Sequence, residues 1–327
     1  MTTQQMQYII ALAEEGSFSA AAKRMFVTQP SISQLIKNME SQIGAPLFER
    51  NTYPIRLTPI GQAYLDAAKK MDAITRELEN RISEINNLEY GTLTIGTSPF
   101  RASCMLPISL SKFKEKYPGI KMNIVTDTIE NLKSKLQNGQ IDFCIDNDVF
   151  TRQIFHIDEL ATETFYLAVS KDNPFNEGRE EFAMSWKDIL DNSDVIYQEK
   201  YIKPEELKEE AFVVLDSKSE FSDIYTSFFS LLKISPNVSL YASNIETLFH
   251  WVNNNLGVGF VPDTLIRYGN FVEHPVYYKL KPPKKKINMF QEQIVVAFNK
   301  NHFISLPARE YINQLKELIS MGTWFHI

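Results

Sequence analysis

Cysteine is nearly absent: Cys104 and Cys144 are the only two in 327 residues. Two cysteines build no disulfide framework, and no CxxC or Cys/His spacing suits zinc. Both lie in apolar patterns and read as buried thiols; a redox switch would need them adjacent in space. Long apolar runs are missing as well, since none reaches the ~18–20 residues that span a bilayer. Met1–Leu12 carries no basic leader and no small-residue cleavage site, so it reads as a core helix. The expectation is a cytoplasmic protein with no membrane partner. A basic excess is also lacking: 34 Lys and Arg face 40 Asp and Glu, a net charge of −6. That argues against a non-specific nucleic-acid coat protein but leaves room for a small DNA-reading module on an acidic body. No phosphate-cradling glycine loop, HExxH, GxSxG or catalytic cysteine signature appears, and the five histidines are scattered. The chain therefore reads as neither an enzyme nor a holder of metal or cofactor.

What is present is globular: 44% hydrophobic and 23% charged residues, at a length that suggests two or three domains. Three short helical patterns come first. Gln4–Ala13 stops at Gly16; Ser17–Met25 is alanine-rich; a tight Phe26-Val27 connection leads to Thr28, a good N-cap, and Pro30 in a first turn. The third helix runs to Ile43 before Gly44. Ile32, Leu35, Ile36, Met39 and Ile43 fall on one arc of roughly 100°. Pro30, Ser33, Gln34 and Lys37 fall opposite, with Gln29 at the helix start. Amides, hydroxyls and ammonium groups hydrogen-bond base edges and phosphates, so the pair of helices reads as a helix-turn-helix. Two strand-like runs, Leu47–Arg50 and Ile55–Thr58, enclose the turn Asn51–Pro54 and form a wing, with Arg50 and Arg56 as its cations.

The run AEEGSFSAAAKRMFVTQPSISQLIKNMESQIGAPLFERN…IRLTPIGQAYL resembles the winged helix-turn-helix of LysR-type transcriptional regulators over residues 3–65. The resemblance implies double-stranded DNA as partner. Its implied contacts are Thr28, Gln29, Pro30, Ser31, Ser33, Gln34 and Lys37 on the reading helix, and Arg50, Tyr53 and Arg56 on the wing. The chain departs from that family at Gln34, where arginine is usual, and at the wing tip, usually basic but here Thr52, Tyr53 and Pro54. Gln favours adenine over the guanine that Arg favours, so the expected site is A·T-rich.

From Pro59 to about Leu88 the chain holds no further proline. Ile60, Ala67, Ile74, Arg81 and Leu88 form one seven-residue series, and Tyr64, Met71, Leu78 and Ile85 the other. Alternating steps of four and three make a coiled-coil seam, interrupted at Arg81, and imply a dimer. This looks like the family's linker helix.

Residues 91–327 alternate strand and helix patterns. Leu93–Gly96, Lys121–Val125 and Ile141–Ile145 read as parallel strands separated by helices at Leu106–Tyr117 and Ile129–Asn138. Further strands are expected at Phe165–Ser170, Val195–Tyr197, Gly257–Pro262 and Ile294–Asn299, and helices at Trp186–Leu190, Ile224–Leu232, Ile245–Asn255 and Pro307–Ile319. GTLTIGTS, FKEKYPGI, ENLKSKLQNGQIDFCI, NNNLGVGFVP and REYINQLKELI resemble the family's effector-binding domain in its order. The implied fold is α/β multidomain: a mainly-α winged helix-turn-helix (1–58), a linker helix and hinge (59–90), and an effector domain (91–327) of two Rossmann-like subdomains. Subdomain one would be 91–162 plus 269–327, and subdomain two 163–268.

Ligands in open α/β sheets sit at strand C-terminal ends. Thr97, Ser98, Thr128, Asp146, Asn147, Tyr197 and Gln198 occupy such ends, and Phe100 and Arg101 line the same mouth. The plainer readings are helix capping for Ser98 and Thr128 and a solvated charge for Arg101. The implied ligand is an unknown small-molecule effector; Asp146 and Asp148 argue that it need not be a dianion. Lys281–Lys286 is a basic run, read as a solvated loop. The resemblance further implies a homo-oligomer, a dimer through the linker helix and then a tetramer, with RNA polymerase as a candidate partner. The competing class is a small-molecule binding protein or enzyme whose winged helix serves protein contacts.

Charge by segment sharpens the picture. Residues 1–58 carry five basic side chains (Lys23, Arg24, Lys37, Arg50, Arg56) and four acidic ones (Glu14, Glu15, Glu40, Glu49), a net of +1, leaving −7 elsewhere. With so few cations a single module should bind DNA weakly, and linked modules must supply the rest.

Overall fold

The computed structural model describes residues 2–49, 51–85, 90–191, 200–217, 219–283 and 288–320. The expected strand at Val195–Tyr197 lies outside them, as do Arg50, Tyr197, Gln198 and residues 284–287 of the basic run.

Three helices open the chain: α1 (Thr3–Glu15), α2 (Phe18–Arg24) and α3 (Gln29–Ile43). Thr2 and Gln5 form a capping box on α1, and Gly16 ends it at φ 60°. Ser17 caps α2. Their shared core holds Met6, Ile9, Leu12, Ala21, Ile32, Ile36, Met39, Leu47 and Phe48. Ile43, expected on the buried stripe, is instead exposed at the helix end, beyond the reach of that core. The wing is the antiparallel pair β1 (Phe48–Glu49) and β2 (Arg56–Leu57). Ile55 N–H donates to the Gly16 carbonyl (2.9 Å), which ties the wing to the α1–α2 corner.

A single helix, α4 (Pro59–Ile85), leads away. Its start passes so close beneath the wing that a Cβ on Gly61 would lie 1.9 Å from the Leu47 carbonyl oxygen, so only glycine fits there. Leu65 and Ala68 are buried, and Ala68 joins the helix-turn-helix core. Tyr64, assigned above to the seam, is half-buried against that core. Ile60, Met71, Ile74, Leu78 and Ile82 remain exposed, an uncovered apolar stripe.

The rest is one large mixed sheet plus a small one. The remaining strands are β3 (Gly91–Thr97), β4 (Ile120–Thr126), β5 (Phe143–Asn147), β6 (Phe155–Val169), β7 (Ala211–Leu215), β8 (Asn237–Ala242), β9 (Gly259–Pro262), β10 (Val276–Tyr278) and β11 (Gln291–Asn299). The large sheet runs β10-β6-β11-β5-β3-β4, with β9 also on β6; β7 and β8 form the parallel pair. β3 is parallel to β4 and β5, as the βαβαβ pattern predicts. β9, β10 and β11 all pair antiparallel, so the sheet is not the all-parallel one that order suggests.

The helices are α5 (Pro99–Cys104), α6 (Leu106–Lys116), α7 (Ile129–Gln137), α8 (Trp186–Leu190), α9 (Ser222–Leu232), α10 (Ile245–Asn253), α11 (Asp263–Tyr268) and α12 (Leu306–Ser320). Residues 93–145 and 294–318 share one core with Tyr268; residues 165–290 share another with Phe100.

Two boundaries differ in ways that matter. The third strand is shifted two residues, to Phe143–Asn147. The Asp142 carboxylate accepts from Thr94 N–H (2.6 Å), which fixes the register on β3. Asp146 and Asn147 therefore end the strand instead of following it. β6 is fifteen residues, not six, because its first half pairs with β11 while exposing polar residues.

Candidate functional site

The reading face of α3 is built by sharp segregation. Ile32, Ile36 and Met39 are buried, whereas Thr28, Gln29, Pro30, Ser31, Gln34 and Lys37 are exposed and Ser33 is half-buried. Thr28 stands at the N-cap position, but its hydroxyl bonds Ser31 Oγ (2.8 Å) and caps no backbone N–H. The helix's first N–H groups thus lack a side-chain cap from Thr28. Gln34 Nε2 donates to Asn38 Oδ1 (2.9 Å), which orients its amide outward along the helix. Tyr53 is 90% exposed at the wing tip, and Arg56 is exposed on β2. Arg24 is held by Glu14 (2.7 Å) and Glu15 (3.2 Å), so it adds little to the positive field.

The second cluster centres on Arg101, and the solvated-charge reading for it is wrong: its side chain has no exposure at all. α5 aims the guanidinium into the sheet. Nη2 donates to Asn147 Oδ1 (2.8 Å) and Glu163 Oε2 (3.0 Å), and Nε to Asp146 Oδ1 (3.4 Å). Thr264 Oγ1, on α11, donates to Glu163 Oε1. One cation therefore joins α5, β5, β6 and, through Glu163, α11. Burial alone would lower the Arg101 pKa, but Glu163 and Asp146 outweigh it and the shift is upward. Burial lifts the Asp146 pKa above its ordinary value, with Arg101 opposing.

Two further carboxyls stand close by. Glu220 is exposed as a whole residue, yet its carboxyl meets Ser98 and the charges behind it; desolvation pushes it up to about 7, with Ser98 opposing and Asp146 adding. Asp263, half-buried beside Arg267 (3.3 Å), is pushed up to about 6 by desolvation. Both carboxyls hold their protons more tightly folded than at their ordinary values of 4.5 and 3.8. Their stabilising contribution is thus complete at low pH and is lost as pH rises through their folded pKa values. The thermal midpoint should fall from about pH 5 to about pH 8, and Glu220→Gln should flatten the upper part of that fall. His274, whose pKa burial lowers from 6.5, works the other way over this range, so a Glu220→Gln midpoint with the same pH dependence as the wild type would contradict the assignment. Asp127, Asp158 and Glu206, whose pKa values are lowered, contribute stability that is present above their ordinary values of 3.8 and 4.5 and is lost as pH falls through the folded ones.

The structure brings Ser98, Arg101, Asp146 and Asn147 together, with Phe100 packed edge-on against Phe221 beside them (5.7 Å). Thr97 is buried, and its hydroxyl donates to the Ile145 carbonyl (2.7 Å), so it serves the sheet. Thr128 stands apart and exposed. It does not cap α7; its own N–H donates to the Asp127 carboxylate (2.8 Å), which also accepts from the Asn131 side-chain amide (2.7 Å). Glu163, Glu220, Asp263 and Thr264 were missed. Glu163 sits in Thr162–Thr164, which reads as an anonymous crossing, and nothing local marks it as an arginine partner. Cys144 is buried and Cys104 half-buried. Among the described residues no three His, Cys, Asp or Glu converge as a metal site, and no helix is long and apolar enough to cross a membrane.

A helix-turn-helix with a wing, followed by an α/β domain, is the arrangement that comparison with known proteins identifies. Residues 3–62 match the bacterial regulatory helix-turn-helix protein model, lysR family, and residues 86–320 match the LysR substrate binding domain. The chain belongs to the LysR family. It is a transcriptional regulator with a helix-turn-helix and a substrate-binding domain, not an enzyme. LysR-family relatives include a probable RuBisCO transcriptional regulator of Trichormus variabilis, 27% identical over 81% of this chain and 74% of that protein. An uncharacterized HTH-type transcriptional regulator of Bacillus subtilis, YcgK, is 24% identical over 95% and 93%. Among solved structures, a full-length OxyR variant from Pseudomonas aeruginosa, with aspartate in place of one cysteine, superposes with TM-score 0.67 at 22% identity, over 99% of this chain and 96% of that one. CbnR complexed with its target DNA gives 0.63 at 20%, over 97% and 99%. These likenesses place the α/β effector fold and the N-terminal helix-turn-helix within the LysR architecture.

Proposed function

We propose that this LysR regulator reads an A·T-rich operator as an oligomer and is switched by a small molecule in the crevice around Arg101. The observation that carries the reading is the polar stripe of α3, exposed opposite the buried Ile32, Ile36 and Met39 and flanked by a wing. Gln29, Pro30, Ser33 and Gln34 reach base edges; Thr28, Ser31, Lys37, Arg50, Tyr53 and Arg56 hold the backbone. The winged module is 1–58, the linker 59–90, and the effector domain 91–327, divided as 91–162 plus 269–327 and 163–268. The exposed stripe of α4 pairs with a second copy, and two such dimers make a tetramer that bends DNA and can meet RNA polymerase. Ser98, Phe100, Arg101, Asp146, Asn147, Tyr197 and Gln198 face the effector, with Thr97 supporting them from behind and Thr128 at the outer rim.

Closure of the crevice is what the effector changes. Arg101 ties β5 to β6, so a ligand that takes over one of its carboxylate or amide partners binds the loosened arrangement better and shifts the population towards it. The related CbnR has been solved with its target DNA, which supports the DNA arm. A fluorescence anisotropy titration of a labelled duplex from upstream of its own gene tests the reading. Specific binding at moderate salt is expected, stronger than to a scrambled duplex; equal affinity for both would refute it.

A further inference from the structure

Phe26 is unexplained by the folded chain. It lies between α2 and α3, is 96% exposed, and holds φ 55°. A bulky side chain rarely adopts this left-handed conformation; glycine or asparagine takes it readily. The connection around it is fixed: Phe26 N–H donates to the Lys23 carbonyl (3.2 Å) and Val27 N–H to the Ala22 carbonyl (3.0 Å). Met25 and Val27 pack against the helix-turn-helix core on either side, so the ring is forced outward. Its place is two residues before Thr28, at the end of α3 that presents Gln29 and Pro30. Cations are scarce on this module, and Arg24, two residues away, is occupied by Glu14 and Glu15.

A backbone-strained, outward-forced aromatic beside the reading face gains only when something covers it. We propose that Phe26 is a DNA contact, its ring against the apolar edge of a thymine methyl or deoxyribose next to the bases that Gln29 reads. This rests on the DNA-binding reading and adds an apolar, salt-insensitive grip where the module lacks charge. Apolar contact recognises the thymine methyl and fits an A·T-rich site. Phosphate contacts release counterions and steepen the salt dependence, whereas this one does not.

The test uses the full chain and the same upstream duplex. Phe26→Asn should raise the thermal midpoint, because asparagine accepts the backbone conformation, yet weaken specific binding about five-fold or more with an unchanged salt slope. Lys37→Ala, the phosphate control, should reduce that slope by about one. Replacing thymine by deoxyuridine across the site separates the two apolar sources: a loss that Phe26→Asn abolishes marks the methyl, and no loss marks the sugar. Phe26→Asn binding as tightly as the wild type overturns the proposal, as does a changed oligomeric mass, which would place a second copy on the ring. The double variant Gln29→Ala, Ser33→Ala keeps the failures apart. If it loses specificity while Phe26→Asn does not, only this contact fails; if neither loses anything, base reading fails with it.

Discussion

Arg101→Ala should destabilise the effector domain by about 3–5 kcal/mol, the cost of breaking a buried ion pair from one side. The variant leaves Glu163 enclosed without its cation, with Thr264 and Asn147 still donating to it. It also takes away the guanidinium N–H that the Asn147 amide oxygen accepts. Urea unfolding followed by tryptophan fluorescence reads the loss as a lower midpoint at unchanged slope. Arg101→Met with Glu163→Gln removes both charges at once and should cost less than the sum of the two single changes. A single-variant loss below about 1 kcal/mol would mean that the pair contributes no more than a surface bridge.

The second large effect concerns assembly. Ile74 is 66% and Leu78 58% exposed in the single chain, so Ile74→Lys with Leu78→Lys should cost little in folding. On a seam between two copies the same change buries ammonium groups against each other. Light scattering should then read a smaller oligomeric mass than the wild type's. Because linked modules gain roughly 10²–10⁴ in avidity, operator binding should weaken by at least two orders of magnitude. An unchanged mass would locate the oligomer contact elsewhere and leave the stripe without its assigned occupant.

Legibility in the sequence followed the length and regularity of pattern. α3, α4, α12 and β3 were readable because each carries its apolar residues at a clean period over many positions. β10, three residues long, offered too few to separate strand from loop, and the first half of β6 looked like connection because its exposed side is charged. The DNA-reading stripe was legible because a helix displays both its faces in its own sequence. The Arg101 cluster was not, because Arg101 meets Asp146 and Glu163 from 45 and 62 residues away. Only the register of β5 and β6 brings them together. The acidic balance also changes meaning: Asp146, Glu163 and Asp263 are paired with two arginines, and Glu163 is fully buried.

The central claim is that α3 reads base sequence. Its most direct measurement is the anisotropy titration on specific and scrambled duplexes, made with the wild type and with the double variant Gln29→Ala, Ser33→Ala. The account predicts that the double variant keeps its fold, oligomeric mass and affinity for scrambled DNA while its preference for the specific duplex collapses by about 10-fold or more, since each good base pairing is worth about 1–3 kcal/mol. A double variant that discriminates as well as the wild type would contradict it.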